Sequence, residues 1–281
     1  EPLLLPGRGL ARSEVQAAVF AGVLQGDDDA TLHAALRARA LLPSGPLGRR
    51  TLAALRSEVT PYARAFADWT GGKSPATQRI EVDIDGVALH GTLAGVYPHG
   101  LARVRIGAPG GNAAIRDGLD WLLASAAGLA LPLVQFHEGG RKPASGHPFG
   151  PHVRPPLAPD QARTVLRHLL WLREQGLREP LPFAPYSGWE FFAAAPDMEA
   201  GLKEAAKKWY GSERSWSEGS GDALRLALRG CDPFTDDATR LRFADLSMSI
   251  YLAVTQGEVY TGTDPDALRA LAPVFDAEDA G

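Results

Sequence analysis

The fold is decided by Ile80-Glu81-Val82-Asp83-Ile84-Asp85-Gly86-Val87-Ala88-Leu89-His90-Gly91-Thr92-Leu93-Ala94-Gly95-Val96-Tyr97-Pro98-His99-Gly100-Leu101-Ala102-Arg103-Val104-Arg105-Ile106. Ile80, Val82 and Ile84 alternate with acidic residues, the period of two that puts one face of a strand on a core. Asp85-Gly86 is a two-residue hairpin signal. Val87, Leu89, Gly91 and Leu93 resume the alternation on the returning arm. His99-Gly100 supplies a second turn and Leu101 to Ile106 a third strand. The stretch predicts a three-stranded antiparallel meander.

The period changes on either side. Upstream, to Gly71, it is helical. Ser13 and Gln16 form a capping box ahead of Val15, Val19 and Val23. Asp29 is placed to cap a helix carrying Leu32 and Leu36. Leu55, Val59, Tyr62, Phe66 and Trp69 make a third helical stripe, which Pro61 should kink or restart. Gly71 to Ala76 reads as a linker. Downstream, Gly107 to Asn112 is a glycine-rich turn without the Gly-Lys-Ser/Thr of a P-loop. A helix with Ile115, Leu119, Leu122 and Leu123 follows, and Leu131 to Phe136 reads as a buried strand that joins the meander in parallel. Gly139 to Pro159, dense in Gly, Pro, His and Arg, predicts a long exposed loop. Asp160 should open a helix that Gly176 closes. Later helices centre on Leu202 to Trp209, Leu224 to Leu228 and Leu241 to Val254. The expected fold is α/β: a mixed sheet of about four strands flanked by N-terminal and C-terminal helices. The expected organisation is a helical segment 1–71, a core 72–138, a loop 139–159 and a helical part 160–281, together one compact unit.

Bulk composition narrows the function. The 281 residues are 45% apolar, enough to bury a core, and carry a formal charge of −4. That charge argues against a protein whose whole surface grips DNA, while leaving room for a local basic track. A lone Cys231 excludes an internal disulfide and a cysteine zinc cluster. No apolar run is long enough to cross a membrane, and a reducing cytoplasm is the expected setting. The chain opens on Glu1-Pro2, which suggests a piece of a longer polypeptide.

A helix, meander, helix, strand order resembles the core of restriction-endonuclease-like nucleases. Those enzymes place Asp/Glu-x-Lys on the third strand, the two-residue spacing putting both side chains on one face to hold Mg²⁺ and polarise phosphate. The lysines here are 73, 142, 203, 207 and 208, and two residues before them stand Gly71, Gly140, Gly201, Ala205 and Ala206. None is acidic. Against the RecB-type pattern, the metal-binding acids fall on Ala94 and Arg103, and the lysine on Arg105. Two arginines on one strand face would repel Mg²⁺. They suit a phosphate or a carboxylate partner, or they lie on a solvated sheet edge. No catalytic residue, metal ligand or cofactor is assigned.

Weaker constellations have two readings each. His137, Glu138, His147 and His152 form a metal site or a solvated loop. Asp83 and Asp85 are paired carboxylates or turn residues. Ser187-Gly188 lacks the Gly-x-Ser-x-Gly elbow. Trp189, Phe191 and Phe192 stack bases or fill a core. Arg103, Arg105, Arg141, Lys142, Arg154 and Trp189 are the candidates for contact with a partner or DNA.

Several blocks carry a family likeness. They are Leu42-Pro43-Ser44-Gly45-Pro46-Leu47-Gly48, Ile80-Glu81-Val82-Asp83, Gly91-Thr92-Leu93 through Pro98-His99-Gly100-Leu101, Pro156-Leu157-Ala158 ahead of Gln161-Ala162, and Lys208-Trp209-Tyr210-Gly211. In this order, around a meander stripped of its acids, they resemble the RecC C-terminal domain family over about Leu10 to Tyr260. The resemblance implies a degenerate, RecB-type nuclease fold without chemistry. It implies a non-catalytic scaffold in a RecBCD-type DNA-repair helicase–nuclease, with RecD-like and RecB-like subunits as partners and DNA met through the complex. The alternatives are a metal-dependent nuclease with migrated ligands and a single-strand DNA-binding module.

Overall fold

The computed structural model describes residues 10–139, 148–195, 197–212 and 215–262. Its contacts gather into two compact units. Unit one comprises Glu1–Thr77, Ala94–Pro109 and Pro132–Arg154; unit two comprises Gln78–Leu93, Gly110–Leu131 and Pro155–Gly281.

The sheet has five strands in sequence order: β1 (Ala76–Ile84), β2 (Val87–Tyr97), β3 (Gly100–Val104), β4 (Leu133–Phe136) and β5 (His152–Arg154). The meander is present. Asp85 and Gly86 both have positive φ, 53° and 86°, the pairing a tight hairpin turn demands, and the Gly86 N–H donates to Asp83 Oδ1 at 3.0 Å. β3 pairs β2 antiparallel and β4 parallel, as the sequence predicts. The parallel step needs a long crossover, and helix α4 (Gly111–Ala126) lies between the two strands in the chain. The fifth strand is a correction. β5 pairs β4 antiparallel within the stretch read as loop; residues 140–147 lie outside the described residues.

In unit one, α1 (Leu10–Gln25), α2 (Asp29–Ala38) and α3 (Gly45–Thr70) precede the sheet. Val15 and Val19, Leu32 and Leu36, and Leu42, Leu52, Leu55 and Val59 form one buried cluster. The predicted caps shift. α1 begins at Leu10, so Ser13 lies inside its first turn, and Gln16 Nε2 donates instead to Glu58. Asp28, not Asp29, caps α2 by accepting from Thr31 N at 2.7 Å. α3 runs through Pro61 as one helix. Burial of Val59, Tyr62 and Ala63 beside the proline offsets the single backbone hydrogen bond it forfeits. The end of α3 meets the sheet: Phe66 packs edge-on to Tyr97 and Phe136, and Trp69 to Tyr97, His99 and Phe136.

The proline-glycine block 42–48 is the joint between α2 and α3. Gly45 has φ 72°. A Cβ on Gly48 would lie 1.8 Å from the Pro43 carbonyl oxygen, an oxygen that also accepts from His33 Nε2 at 3.0 Å.

Unit two holds the β1–β2 hairpin, α4, and five further helices: α5 (Pro159–Arg178), α6 (Pro185–Ala194), α7 (Met198–Tyr210), α8 (Asp222–Leu228) and α9 (Asp237–Gln256). α5 continues past Gly176 to Arg178. Pro180 ends it, forcing Glu179 into the extended region at φ −145° and ψ 153°. Phe191, Leu202, Trp209, Phe234 and Phe243 centre its core. The Pro156–Ala162 block is another joint. Trp121 Nε1 donates to Pro155 O, Leu157 N to Ser125 Oγ, and Gln161 Nε2 to Gly257 O.

Candidate functional site

The sites read from the meander lie in unit one. Within β2, Gly95 has φ 69°, and a Cβ there would stand 2.9 Å from Ala102 O, so the backbone of β2 and β3 approaches closely at this point. Arg103 fills the space beside it. Its NH1 donates to Ala94 O at 2.7 Å and to Ala102 O at 2.8 Å. Two of the positions predicted to replace metal-binding acids are therefore joined. Ala94 contributes a carbonyl oxygen and no ligating side chain, and Arg103 sets a permanent positive charge against it.

Arg105 follows β3. Its backbone N–H donates to Phe136 O, and its Nε donates to Ala108 O at 2.9 Å. Both arginines are thus tied to backbone carbonyls. Sheet register places Arg103 beside Gln135 and Gln135 beside His152, a half-buried polar row across three strands. Arg154 pairs with Leu133. Arg141, Lys142 and His147 lie outside the described residues.

His137 and His152 are brought together as stacked rings, centroids 4.3 Å apart and 20° from parallel. His152 Nε2 donates to His137 O at 3.2 Å and His137 Nδ1 donates to Glu138 O at 3.0 Å. Ring nitrogens directed at carbonyls do not converge on an ion. Among the described residues no group of three or more His, Cys, Asp and Glu is placed to hold one.

In unit two, Asp83 and Asp85 do not act as a pair. Asp83 serves the turn, and Asp85 takes a two-pronged ion pair from Arg167 at 2.5 and 3.0 Å. The Arg167 hydrogen bond holds the Asp85 carboxyl below the usual carboxylate range. Trp189 sits on α6 against Tyr251, ring centroids 5.2 Å apart, and against Phe192. Phe191 is buried.

Sequence reasoning missed Glu218. This carboxylate is 4% exposed and accepts from Tyr186 N at 2.9 Å, Ser187 N at 2.6 Å and Ser187 Oγ at 2.8 Å. It caps the N-terminus of α6, where a negative charge meets the positive end of the helix. The signal was local: α6 begins Ala184-Pro185, without a capping side chain of its own, so its amides need an acceptor from elsewhere. Tyr251 beside it donates its hydroxyl to Pro185 O, and burial drives its pKa far up. Ser187, without a histidine partner in this cluster, is a donor to the cap.

The RecC C-terminal domain family matches residues 1–196. RecBCD enzyme subunit RecC of Mycolicibacterium smegmatis is 30% identical over 199 residues, 66% of this chain and 17% of that protein. The chain therefore spans a minor part of the relative's length. The family match stops short of Lys208-Trp209-Tyr210-Gly211, which the motif resemblance included. Matched over well more than half its length, and carrying the joints and turns described above, the chain belongs to the RecC C-terminal domain family.

Proposed function

We propose that this domain is a non-catalytic scaffold within a RecBCD-type DNA double-strand-break repair helicase–nuclease, contacting RecD-like and RecB-like subunits and helping to guide DNA strands. Its sheet is read as a degenerate restriction-endonuclease-like core that works in the cytoplasm without a cofactor. One observation carries the reading: at Ala94 and Arg103, where a nuclease of this pattern keeps metal-binding acids, a guanidinium is seated on the Ala94 carbonyl. A cation held there opposes a second, divalent one. Metal-assisted phosphodiester attack needs carboxylates that hold the metal, and neither position carries one.

Arg103, Arg105, Arg141, Lys142, Arg154 and Trp189 are the proposed contact residues. The stretch Gly139 to Pro159 is the proposed contact element; it contains β5, and 140–147 lie outside the described residues. Within it Gly139 N donates to Pro148 O at 2.6 Å, so excision of 140–147, which spares β5, can be bridged without stretching the ends apart. The domain is tested by incubating the purified protein with linear and single-stranded DNA in Mg²⁺ or Mn²⁺, and by co-purifying it with RecD-like and RecB-like subunits. Assembly without cleavage is expected. Cleavage that tracks with the protein and vanishes on a point substitution would return the migrated-ligand nuclease reading. Excision of 140–147 is expected to weaken assembly while leaving the melting curve in place.

A further inference from the structure

A groove of about 470 Å³ runs between α4, α5 and α9 within unit two. Its walls include Ile115, Leu119 and Leu123 of α4, Leu169 and Leu170 of α5, and Ile250 of α9, all of them half-buried. The α4 residues recur at every fourth position, so they line one side of that helix over about 12 Å. Leu177, 66% exposed, follows Leu170 by seven positions and carries the α5 side of the groove on to the end of its helix. A contiguous apolar face of this kind marks a place where another element packs.

The chain itself leads towards the groove. After α9, Gly257 to Val259 share a hollow with Gln161, Thr164 and Val165 of α5. Tyr260 to Gly262 share a second with Trp171, Leu172 and Gln175 further along the same helix. The segment after α9 therefore follows α5 from its start towards its end. Leu172 and Leu181 border both this track and the groove. Residues 263–281 continue from Gly262 and lie outside the described residues. Asp264-Pro265-Asp266-Ala267-Leu268-Arg269-Ala270-Leu271-Ala272-Pro273 has the signals of a short helix. Asp264 suits the N-cap, Pro265 the first helical position, Asp266 the first turn and Pro273 the stop. Leu268 and Leu271 then fall on one side, flanked by Ala267 and Ala272.

We propose that residues 264–275 of this chain are the occupant of the groove, docking as a short amphipathic helix with Leu268 and Leu271 against the leucines of α4 and α5. A helix this short is marginal in water by itself, so its apolar side needs a surface. Residues 265–272 would span about 12 Å, the length of the row from Ile115 to Leu123. Two extended residues and one helical turn carry the chain about 12 Å from Gly262 to Leu268. That is the width of one helix, enough to pass from one side of α5 to the other. The tether holds the segment at an effective concentration on the order of millimolar, against which a separate partner must compete.

The test uses the whole chain with Cys231→Ser and two added cysteines, Ala272→Cys in the segment and one on α5. Arg173→Cys stands at the groove and Trp171→Cys on the opposite side of the helix, both at exposed positions. Cross-linking by a short bismaleimide is read as a rate, normalised to the labelling rate of each cysteine alone. Ala272→Cys is expected to join Arg173→Cys within one chain about tenfold faster than Trp171→Cys, the advantage of a docked over a freely moving tether. Leu268→Asp with Leu271→Asp is expected to bring the two rates together and to raise the binding of an apolar dye, with circular dichroism establishing that the fold is kept. Equal rates with the leucines in place, or faster joining to Trp171→Cys, overturn the proposal, and this comparison decides it even if the aspartate variant does not fold. Cross-linked dimers in place of the internal product make a second copy the occupant and overturn it. Dye binding as strong before the two aspartates as after them leaves the groove open to a separate partner and also overturns it.

Discussion

Glu218→Ala is the substitution whose cost the structure fixes most tightly. The carboxylate accepts three hydrogen bonds, at 2.9, 2.6 and 2.8 Å, and it and Ser187 are 4% and 0% exposed, so water cannot take its place. Losing the acceptor strands two amides and a hydroxyl. A buried donor left unmet costs about 1–3 kcal/mol, and loss of an ordinary helix cap about 1 kcal/mol. Relief from holding a buried charge offsets part of this. Taking about 1 kcal/mol for each of the three donors gives a destabilisation of about 3 kcal/mol. Glu218→Gln keeps one carbonyl acceptor and should cost roughly half as much. Ser187→Ala removes only the hydroxyl bond and should cost about 1 kcal/mol. Guanidinium denaturation followed by intrinsic fluorescence reads unit two selectively, because Trp121, Trp171, Trp189, Trp209 and Trp216 lie there and only Trp69 lies in unit one. The double variant should lose less than the sum of its parts, since both singles break the same bond. A Glu218→Ala midpoint that moves by less than the equivalent of about 1 kcal/mol would refute the reasoning, because the capping network would then carry little of the stability assigned to it.

Gly118→Ala should destabilise unit two by about 3 kcal/mol or more, since the added Cβ would stand 2.1 Å from Val254 O; thermal melts with a fluorescence readout check it. Gly48→Ala, whose Cβ would meet Pro43 O at 1.8 Å, should destabilise unit one instead, visible as earlier amide exchange in α2 and α3. His168 is predicted to make stability fall as the solution is acidified. Its folded pKa lies below its ordinary value of 6.5, so the unfolded chain binds the proton first, and stability is lost as pH drops from 6.5 towards the folded pKa. His168→Gln should lack that part of the pH dependence, and identical slopes for the two proteins would exclude it. A chain ending at residue 196 should fail to give a cooperative unit-two transition, because Phe243, Tyr251 and Val254 of α9 are fully buried; circular dichroism and denaturation of the truncated chain decide this.

The meander was legible because each of its signals is local. Alternation over Ile80 to Ile84 and positive φ at Asp85-Gly86 depend on neighbours in the chain. β5 was not legible, since three residues, His152-Val153-Arg154, are too few to display a period, and their pairing is made by β4. The caps went astray by small amounts for the same reason. Among the three consecutive aspartates 27–29, the one that caps is chosen by where Leu32 and Leu36 must point. Gly176 looked like a helix end, yet the stronger stop is Pro180 four residues on. At the candidate site the absence of acids at Ala94, Arg103 and Arg105 was legible from sequence alone. That Arg103 grips the Ala94 carbonyl was not, because the contact depends on the close approach that Gly95 permits.

Three of the five blocks that carry the family likeness are joints. Gly48 fits against the Pro43 carbonyl, Gly100 against Pro132 O with φ 150°, and Leu157 beneath Gly257, where a Cβ would be 2.4 Å away. At such positions a side chain larger than glycine's hydrogen meets a backbone carbonyl or a packed side chain. Gly111, Gly118 and Gly188 extend the point. Their missing side chains make room for Tyr251, Val254 and Ser247 of α9, a helix beyond the 196 residues that the family matches. Residues inside the matched stretch are therefore shaped to a helix outside it. The matched stretch contributes to unit two without completing it, and any function assigned to this family member has to be sought on a body that includes α9.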